Sequence, residues 1–207
     1  MSYPHKNFPS LSKSDIDRNA RVFATRSDLI EGLNIRRQGV VAEVGVALGD
    51  FSEWLLQSLE PRLFVAIDTF ELHQIPELWG QSTAVLLEQQ NHLDYYRKRF
   101  AHYGDRIRVD VAPSHKALAA YPDQTFDLIY VDAGHDYENV SRDATLAARK
   151  INSDGVIIFN DYTMFDHLTG APYGVVPAVN ELVTRGRWRV VGFSLQQHMF
   201  CDIAIRR

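Results

Sequence analysis

The chain has 207 residues, 45% of them apolar, 11% aromatic and 23% charged, the make-up of a folded globular domain rather than of a disordered, collagenous or membrane-spanning one. Its 22 basic and 26 acidic side chains leave a net charge of −4, and no basic stripe stands ready to neutralise phosphates, so nucleic acid is not an expected partner. The single cysteine, Cys201, excludes an internal disulfide and fits a reducing compartment, which makes the cytoplasm the default location.

Residues 1–14 are polar, broken by Pro4 and Pro9, and lack the apolar run of a signal peptide. No later stretch approaches the ~20 apolar residues that cross a bilayer. Ser14 with Asp17 has capping-box spacing, and Ile16, Ala20, Phe23, Ile30 and Leu33 approximate one face, which predicts a helix over 14–33. Val40-Val41-Ala42-Glu43-Val44-Gly45 is an almost continuous apolar run, the pattern of a first strand covered on both faces. Asp50 with Glu53 then caps a helix that carries Phe51, Trp54, Leu55 and Leu59 and that Pro61 closes.

The alternation continues with a strand over 63–67, a long helix over 82–103, a strand over 107–111, a short helix over 114–120 and a strand over 126–131. A helix over 139–150, a strand over 155–159, a helix over 177–185 and strands over 189–193 and 199–205 complete it. In the last strand Met199, Cys201, Ile203 and Ile205 share one face, with Asp202 and Arg206 on the other. Such alternation implies a doubly wound, Rossmann-like α/β fold with helices on both faces of a mostly parallel sheet. Seven strands are expected, one near the C-terminus antiparallel because no helix separates the final pair. No linker divides the chain, so residues 1–38 read as an N-terminal extension and helix on a single-domain core over 39–207. The leading helix and the long central helix offer surfaces for a homo-oligomer.

In open α/β sheets ligands bind beyond the carboxyl ends of the strands. The first strand ends in Glu43-Val44-Gly45-Val46-Ala47-Leu48-Gly49-Asp50, a Gly-x-x-x-Gly loop rather than the G-x-G-x-x-G that cradles a pyrophosphate. Asp68, at the end of the second strand, is placed to accept from both hydroxyls of a ribose. An adenosine without a diphosphate fits this pair, and a nicotinamide dehydrogenase ranks last. Asp132 and His135 follow the fourth strand and Asn160 and Asp161 the fifth, so neighbouring strand ends present four polar groups together. Their oxygens suit Mg²⁺ and suit Zn²⁺ poorly. Residues 70–81, with His73, Pro76 and Trp79, and 163–175, with His167 and Tyr173, are expected as loops over the ligand end. His92 and Tyr95-Tyr96 read as core or interface.

The acidic residue-x-Gly-x-x-x-Gly pattern of Glu43, Gly45 and Gly49 resembles the first motif of class I S-adenosylmethionine-dependent methyltransferases. That resemblance implies that Glu43 holds the methionine ammonium, that the turn over 45–49 lets methionine and ribose lie on the backbone, that Asp68 takes the ribose diol, and that Thr69 and Ser114 flank adenine. The run Asp132-Ala133-Gly134-His135-Asp136-Tyr137, with a following strand that ends in Asn160-Asp161, resembles small-molecule O-methyltransferases of the macrocin type and their cephalosporin-hydroxylase-like relatives, over residues 39–205. By that resemblance Asp132, Asn160 and Asp161 bind Mg²⁺ and His135 is the general base, with Asp132 beside it in catalysis. Here Asn precedes Asp after the fifth strand, a departure from the catechol-type relatives, which place Asp before Asn, and from the macrocin-type ones, which have two acidic residues. The expected reaction is methylation of a small hydroxylated molecule, sugars included. A metal-independent small-molecule methyltransferase and a catalytically silent cofactor-binding module are the alternatives.

Overall fold

The computed structural model describes residues 3–5 and 7–207. Its main sheet is built from β1 (Ile16–Phe23), β2 (Val40–Val44), β3 (Leu63–Asp68), β6 (Ile107–Val111), β7 (Phe126–Val131), β8 (Ile151–Phe159), β9 (Arg189–Ser194) and β10 (Asp202–Arg206), in the order β1-β9-β10-β8-β7-β2-β3-β6. Only β10 runs against its neighbours, β8 and β9. The doubly wound sheet and its single antiparallel strand near the C-terminus are as expected, but there are eight strands instead of seven. A separate hairpin pairs β4 (Glu77–Leu78) with β5 (Gln81–Ser82).

The eighth strand is β1, which corrects the single helix expected over 14–33. Two capping boxes form, and neither is the Ser14–Asp17 one. Ser12 and Asp15 close a 3-10 turn, while Thr25 accepts from the Asp28 amide and starts α1 (Arg26–Gly32). Between these stops the chain pairs in parallel with the outer edge of β9, Phe23 lying opposite Ser194. A polar edge strand with little burial lacks the alternation that marks a half-buried one, so the edge pairing decides its form.

The long helix expected over 82–103 is also broken. The chain forms α3 (Thr83–Leu86), passes through left-handed backbone at Glu88 and Gln89, and restarts at α4 (His92–Phe100), where Asn91 accepts from the Asp94 amide at 2.9 Å. The last strand begins at Asp202, three residues later than expected, because Gln196, His198 and Met199 take positive φ and turn the preceding segment.

Period-two patterning sorts the strands onto two cores. Val40, Ala42 and Val44 of β2 with Ile129 and Val131 of β7 face α6 (Tyr137–Lys150) and α7 (Val175–Arg185). Val41, Leu128 and Tyr130 face α1, α2 (Asp50–Leu59) and α4 through Leu29, Leu55, Leu56, Tyr96 and Phe100. Each fully buried Leu or Phe contributes roughly 1.5–3 kcal/mol relative to exposure, enough to hold the strand tips rigid. α5 (Ser114–Ala119) follows β6. Among the described residues no helix is long and apolar enough to cross a membrane.

Candidate active site

The carboxyl ends of β2, β3, β6, β7 and β8 open into one cavity of about 1160 Å³. Of the residues expected there, Glu43, Gly45, Asp68, Thr69, Ser114, Asp132, His135, Asn160 and Asp161 line it. Gly49 lies behind the wall: at φ 90° it begins α2, and a Cβ there would meet the Phe100 ring at 2.6 Å. Gly45, also left-handed at φ 86°, lets β2 pass under β7, since a Cβ would lie 2.1 Å from the Asp132 carbonyl oxygen. Both glycines therefore shape the turn, Gly45 by close backbone approach and Gly49 by left-handed backbone packed on aromatic side chains.

Asp68 is locked by that turn. Its two oxygens accept from the Val46 amide at 3.0 Å and the Phe70 amide at 2.7 Å, leaving lone pairs for a ligand hydroxyl on each. His92, at the start of α4, is fully buried, and its Nε2 lies 2.6 Å from the Ala47 carbonyl oxygen, so its ring braces the turn from below. Burial pushes its pKa down. Glu43 is 2% exposed. Ser52 donates to it and in turn accepts from the Tyr96 hydroxyl at 2.8 Å. Burial pushes the Glu43 carboxyl up to about 8, against the opposing Ser52 hydrogen bond. A buried acid held neutral at the end of a chain of hydroxyls is a seat for a ligand cation, whose charge would restore its ionised form.

The second half of the cavity is built on β7, β8 and β10. His135 Nε2 faces two carboxylates, Asp161 Oδ2 at 3.3 Å and Asp132 Oδ1 at 3.6 Å. The ring stacks on Tyr173 with 4.6 Å between centroids, and its backbone carbonyl accepts from the Gly174 amide at 2.6 Å. Burial works against charge on His135, but Asp132, Asp161 and Asp166 outweigh it and the pKa is raised. Asp161, in left-handed backbone at φ 55°, is pushed up to about 6 by burial. Asn160 donates its amide to Asp202 Oδ1 at 2.8 Å, and Tyr130 donates to Asp202 Oδ2 at 3.2 Å. Asp202 is completely buried and is pushed up to about 7 by that burial. Trp79, 70% exposed, and Leu168, 78% exposed, stand at the rim, as does Phe200.

Sequence reasoning missed Arg26, Tyr130 and Asp202. The alternation of the last strand assigned Asp202 to the face opposite Cys201, Ile203 and Ile205, whereas β10 is interior to the sheet and buried on both. Arg26 enters from the first turn of α1. Its Nη1 lies 3.2 Å from the Tyr130 hydroxyl and 3.6 Å from Asp132 Oδ2, with the guanidinium carbon 3.9 Å from the Phe51 ring centroid.

The Mg²⁺ seat expected from Asp132, Asn160 and Asp161 does not fit this arrangement. One oxygen of Asp132 faces the Arg26 guanidinium and the other faces His135, while Asp161 also faces His135. Asn160 donates its Nδ2 to Asp202 Oδ1, a bond that does not use the Oδ1 an ion would take, so the misfit lies at the two carboxylates. Among the described residues no group of three or more His, Cys, Asp or Glu side chains is placed to hold an ion.

Residues 42–162 match a family described as a methyltransferase domain. Among curated proteins none matches the chain. Solved structures share its fold at low identity. A ribosomal protein L11 methylase from Lactobacillus delbrueckii subsp. bulgaricus is 18% identical with a TM-score of 0.56, over 86% of this chain and 74% of that one. A 1,6-didemethyltoxoflavin-N1-methyltransferase from Burkholderia thailandensis, with 1,6-didemethyltoxoflavin and S-adenosylhomocysteine bound, is 13% identical with a TM-score of 0.58, over 87% and 76%. A precorrin-6y C5,15-methyltransferase from Geobacter metallireducens GS-15 is 15% identical with a TM-score of 0.54, over 85% and 82%. With the family match spanning more than half of its length, and a Gly-x-x-x-Gly turn, a buried acid and an Asp held by backbone amides at adjoining strand tips, the chain belongs to the methyltransferase-domain family and is an S-adenosylmethionine-dependent methyltransferase.

Proposed function

We propose that this enzyme methylates a hydroxyl group of a small molecule, with the cofactor over β2 and β3 and the acceptor over β7 and β8. The observation that carries the reading is the joining of the Glu43–Asp68 crevice and the Asp132–His135–Asp161 cluster in one cavity of about 1160 Å³. That exceeds the roughly 300–1,000 Å³ of a single small-ligand pocket and leaves room for two. The structure of the toxoflavin methyltransferase of the same fold holds both 1,6-didemethyltoxoflavin and S-adenosylhomocysteine.

Bound S-adenosylmethionine supplies an electrophilic methyl carbon on a sulfonium. Glu43 takes the cofactor's ammonium, Asp68 its ribose hydroxyls, and Thr69 and Ser114 flank its adenine. The chain's task at the other end is alignment of the acceptor and removal of its proton. His135 is the group that ends up holding the acceptor's proton, and Asp132 and Asp161, both facing its Nε2, balance the resulting charge. Positive charge on the imidazole is favoured by two carboxylates within 3.6 Å. Proton removal of this kind is typically worth ~10²–10⁴-fold in rate.

The test is to incubate the enzyme with isotopically labelled S-adenosylmethionine and a panel of sugars, phenols and alcohols, and to locate the label by mass spectrometry. Label on oxygen, reduced at least 100-fold by His135→Gln, supports the reading. Label found only on nitrogen or carbon, or turnover indifferent to His135→Gln, contradicts it.

A further inference from the structure

The N-terminal strand and helix lie outside the matched family region, which begins at residue 42. Yet Arg26, the first residue of α1, lines the central cavity. Its place is fixed from three sides. β1 runs parallel to β9 up to the pair Phe23–Ser194, and Thr25 caps the helix directly behind it. The face of Phe51, 3.9 Å from the guanidinium carbon, supports the plane. The Tyr130 hydroxyl, 3.2 Å from Nη1, ties it to the chain of groups that ends at Asp202 and Asn160.

Asp132 is approached differently by its two neighbours. Oδ2 faces Arg26 Nη1 at 3.6 Å and Oδ1 faces His135 Nε2 at 3.6 Å. An ion pair at this distance is electrostatic, not a hydrogen bond, and it biases the carboxylate so that its other oxygen faces His135. Four acids, Glu43, Asp132, Asp161 and Asp202, surround this region, the first and last almost wholly buried. Burial raises the pKa of Glu43, Asp161 and Asp202, which relieves part of this charge, and Arg26 is the cation that faces the cluster, 3.6 Å from Asp132.

We propose that Arg26 is the resident cation of the acceptor half: a positioning residue that holds Asp132 toward His135 and stands on the Asp132 oxygen that a divalent ion would otherwise use. This rests on the reading of Asp132, His135 and Asp161 as the proton-accepting cluster. It assigns the N-terminal strand and helix a direct part in the site. Methyl transfer then balances without a metal. The acceptor's O–H proton goes to His135, the oxygen lone pair forms the new C–O bond, and the S–CH₃ bond breaks with its electron pair left on sulfur.

The probe is Mn²⁺, followed by electron paramagnetic resonance on the full chain saturated with S-adenosylhomocysteine. Wild-type protein is expected to bind no Mn²⁺ in the cavity up to 1 mM added ion, a working ceiling on the order of the weakest calcium and magnesium sites. Arg26→Ala is expected to gain a site at least tenfold tighter, which Asp161→Asn in the same chain removes. Arg26→Lys, which restores a cation without the planar fork, is expected to suppress the Mn²⁺ signal again. Calorimetry should show S-adenosylhomocysteine affinity within threefold of wild type in the Arg26 variants, which establishes that they are folded. If Arg26→Ala fails to fold, Arg26→Gln serves, with the same Mn²⁺ expectation. The proposal is overturned if wild-type protein holds Mn²⁺ through Asp132 and Asp161, or if folded Arg26→Ala or Arg26→Gln gains no site. A wild-type protein that binds no S-adenosylhomocysteine would refute the cofactor assignment instead, and the Mn²⁺ comparison would still decide the role of Arg26.

Discussion

Replacing Glu43 by Gln should make the protein more stable and a poorer binder of its cofactor. The carboxyl is fully buried and burial lifts its pKa from 4.5 to about 8, so it is protonated in the folded state near neutrality and ionised in the unfolded chain. The ionised form is thus favoured on unfolding, and stability falls as pH rises from 4.5 to about 8, then levels off. At pH 7 the accumulated loss is about 3 kcal/mol, from 2.5 pH units at ~1.36 kcal/mol each. Gln cannot ionise, keeps an oxygen for the Ser52 hydroxyl, and escapes this loss. For a chain of this length the gain corresponds to roughly 6–12 °C in Tm. In the other direction, the ammonium of S-adenosylhomocysteine loses a charged partner, worth roughly 1.5–3 kcal/mol, or about 10- to 100-fold in Kd. Urea titrations at pH 5 and pH 8 should show a small gap between variant and wild type at the lower pH and a large one at the higher. Calorimetry in buffers of different ionisation enthalpy should show the wild type releasing close to one proton on binding at pH 7, and Glu43→Gln none. A gap that does not widen with pH, or unchanged affinity in the variant, would refute the reasoning.

Gly45→Ala should cost about 2 kcal/mol or more in urea unfolding, since it combines a left-handed backbone with a Cβ 2.1 Å from the Asp132 carbonyl oxygen. His135→Ala should leave S-adenosylhomocysteine affinity within about threefold by calorimetry while abolishing transfer to a hydroxyl acceptor; equal loss of both properties would make the residue structural. Trp79, exposed at the cavity rim, should report ligand entry, so the emission change on cofactor or acceptor binding seen in wild type should be reduced by most of its amplitude in Trp79→Phe.

The core strands and the cofactor turn could be read from sequence because each is dictated locally. The near-continuous apolar runs of β2 and β7 are what a doubly covered parallel strand requires, and the paired glycines sit where the backbone must be left-handed. β1 could not be read this way. Its residues carry no burial pattern of their own, and the open edge of β9, far along the chain, decides their conformation. The break between α3 and α4 follows from two non-glycine residues in left-handed backbone, at Glu88 and Gln89, which propensity does not foretell. Arg26 was hidden for the same reason as β1: its partner Tyr130 lies 104 residues away, and its entry into the site depends on where the edge strand ends. A stronger signal was present at Thr25 and Asp28, whose capping box marks the helix start one residue before Arg26. Asp202 shows the limit of period-two reasoning, which places a residue on a face but cannot say that both faces are covered. The crowding around the expected Mg²⁺ ligands was not legible, because donor chemistry alone does not reveal that Arg26 and His135 face the carboxylates.

The most direct measurement is isothermal titration of the wild-type protein with S-adenosylhomocysteine, followed by a crystal structure of the complex. One site per chain is predicted, with the amino acid's ammonium on Glu43, the ribose hydroxyls on Asp68 and affinity lowered at least tenfold in Asp68→Ala. Absence of binding heat, or a ligand seated away from the tips of β2 and β3, would contradict the account.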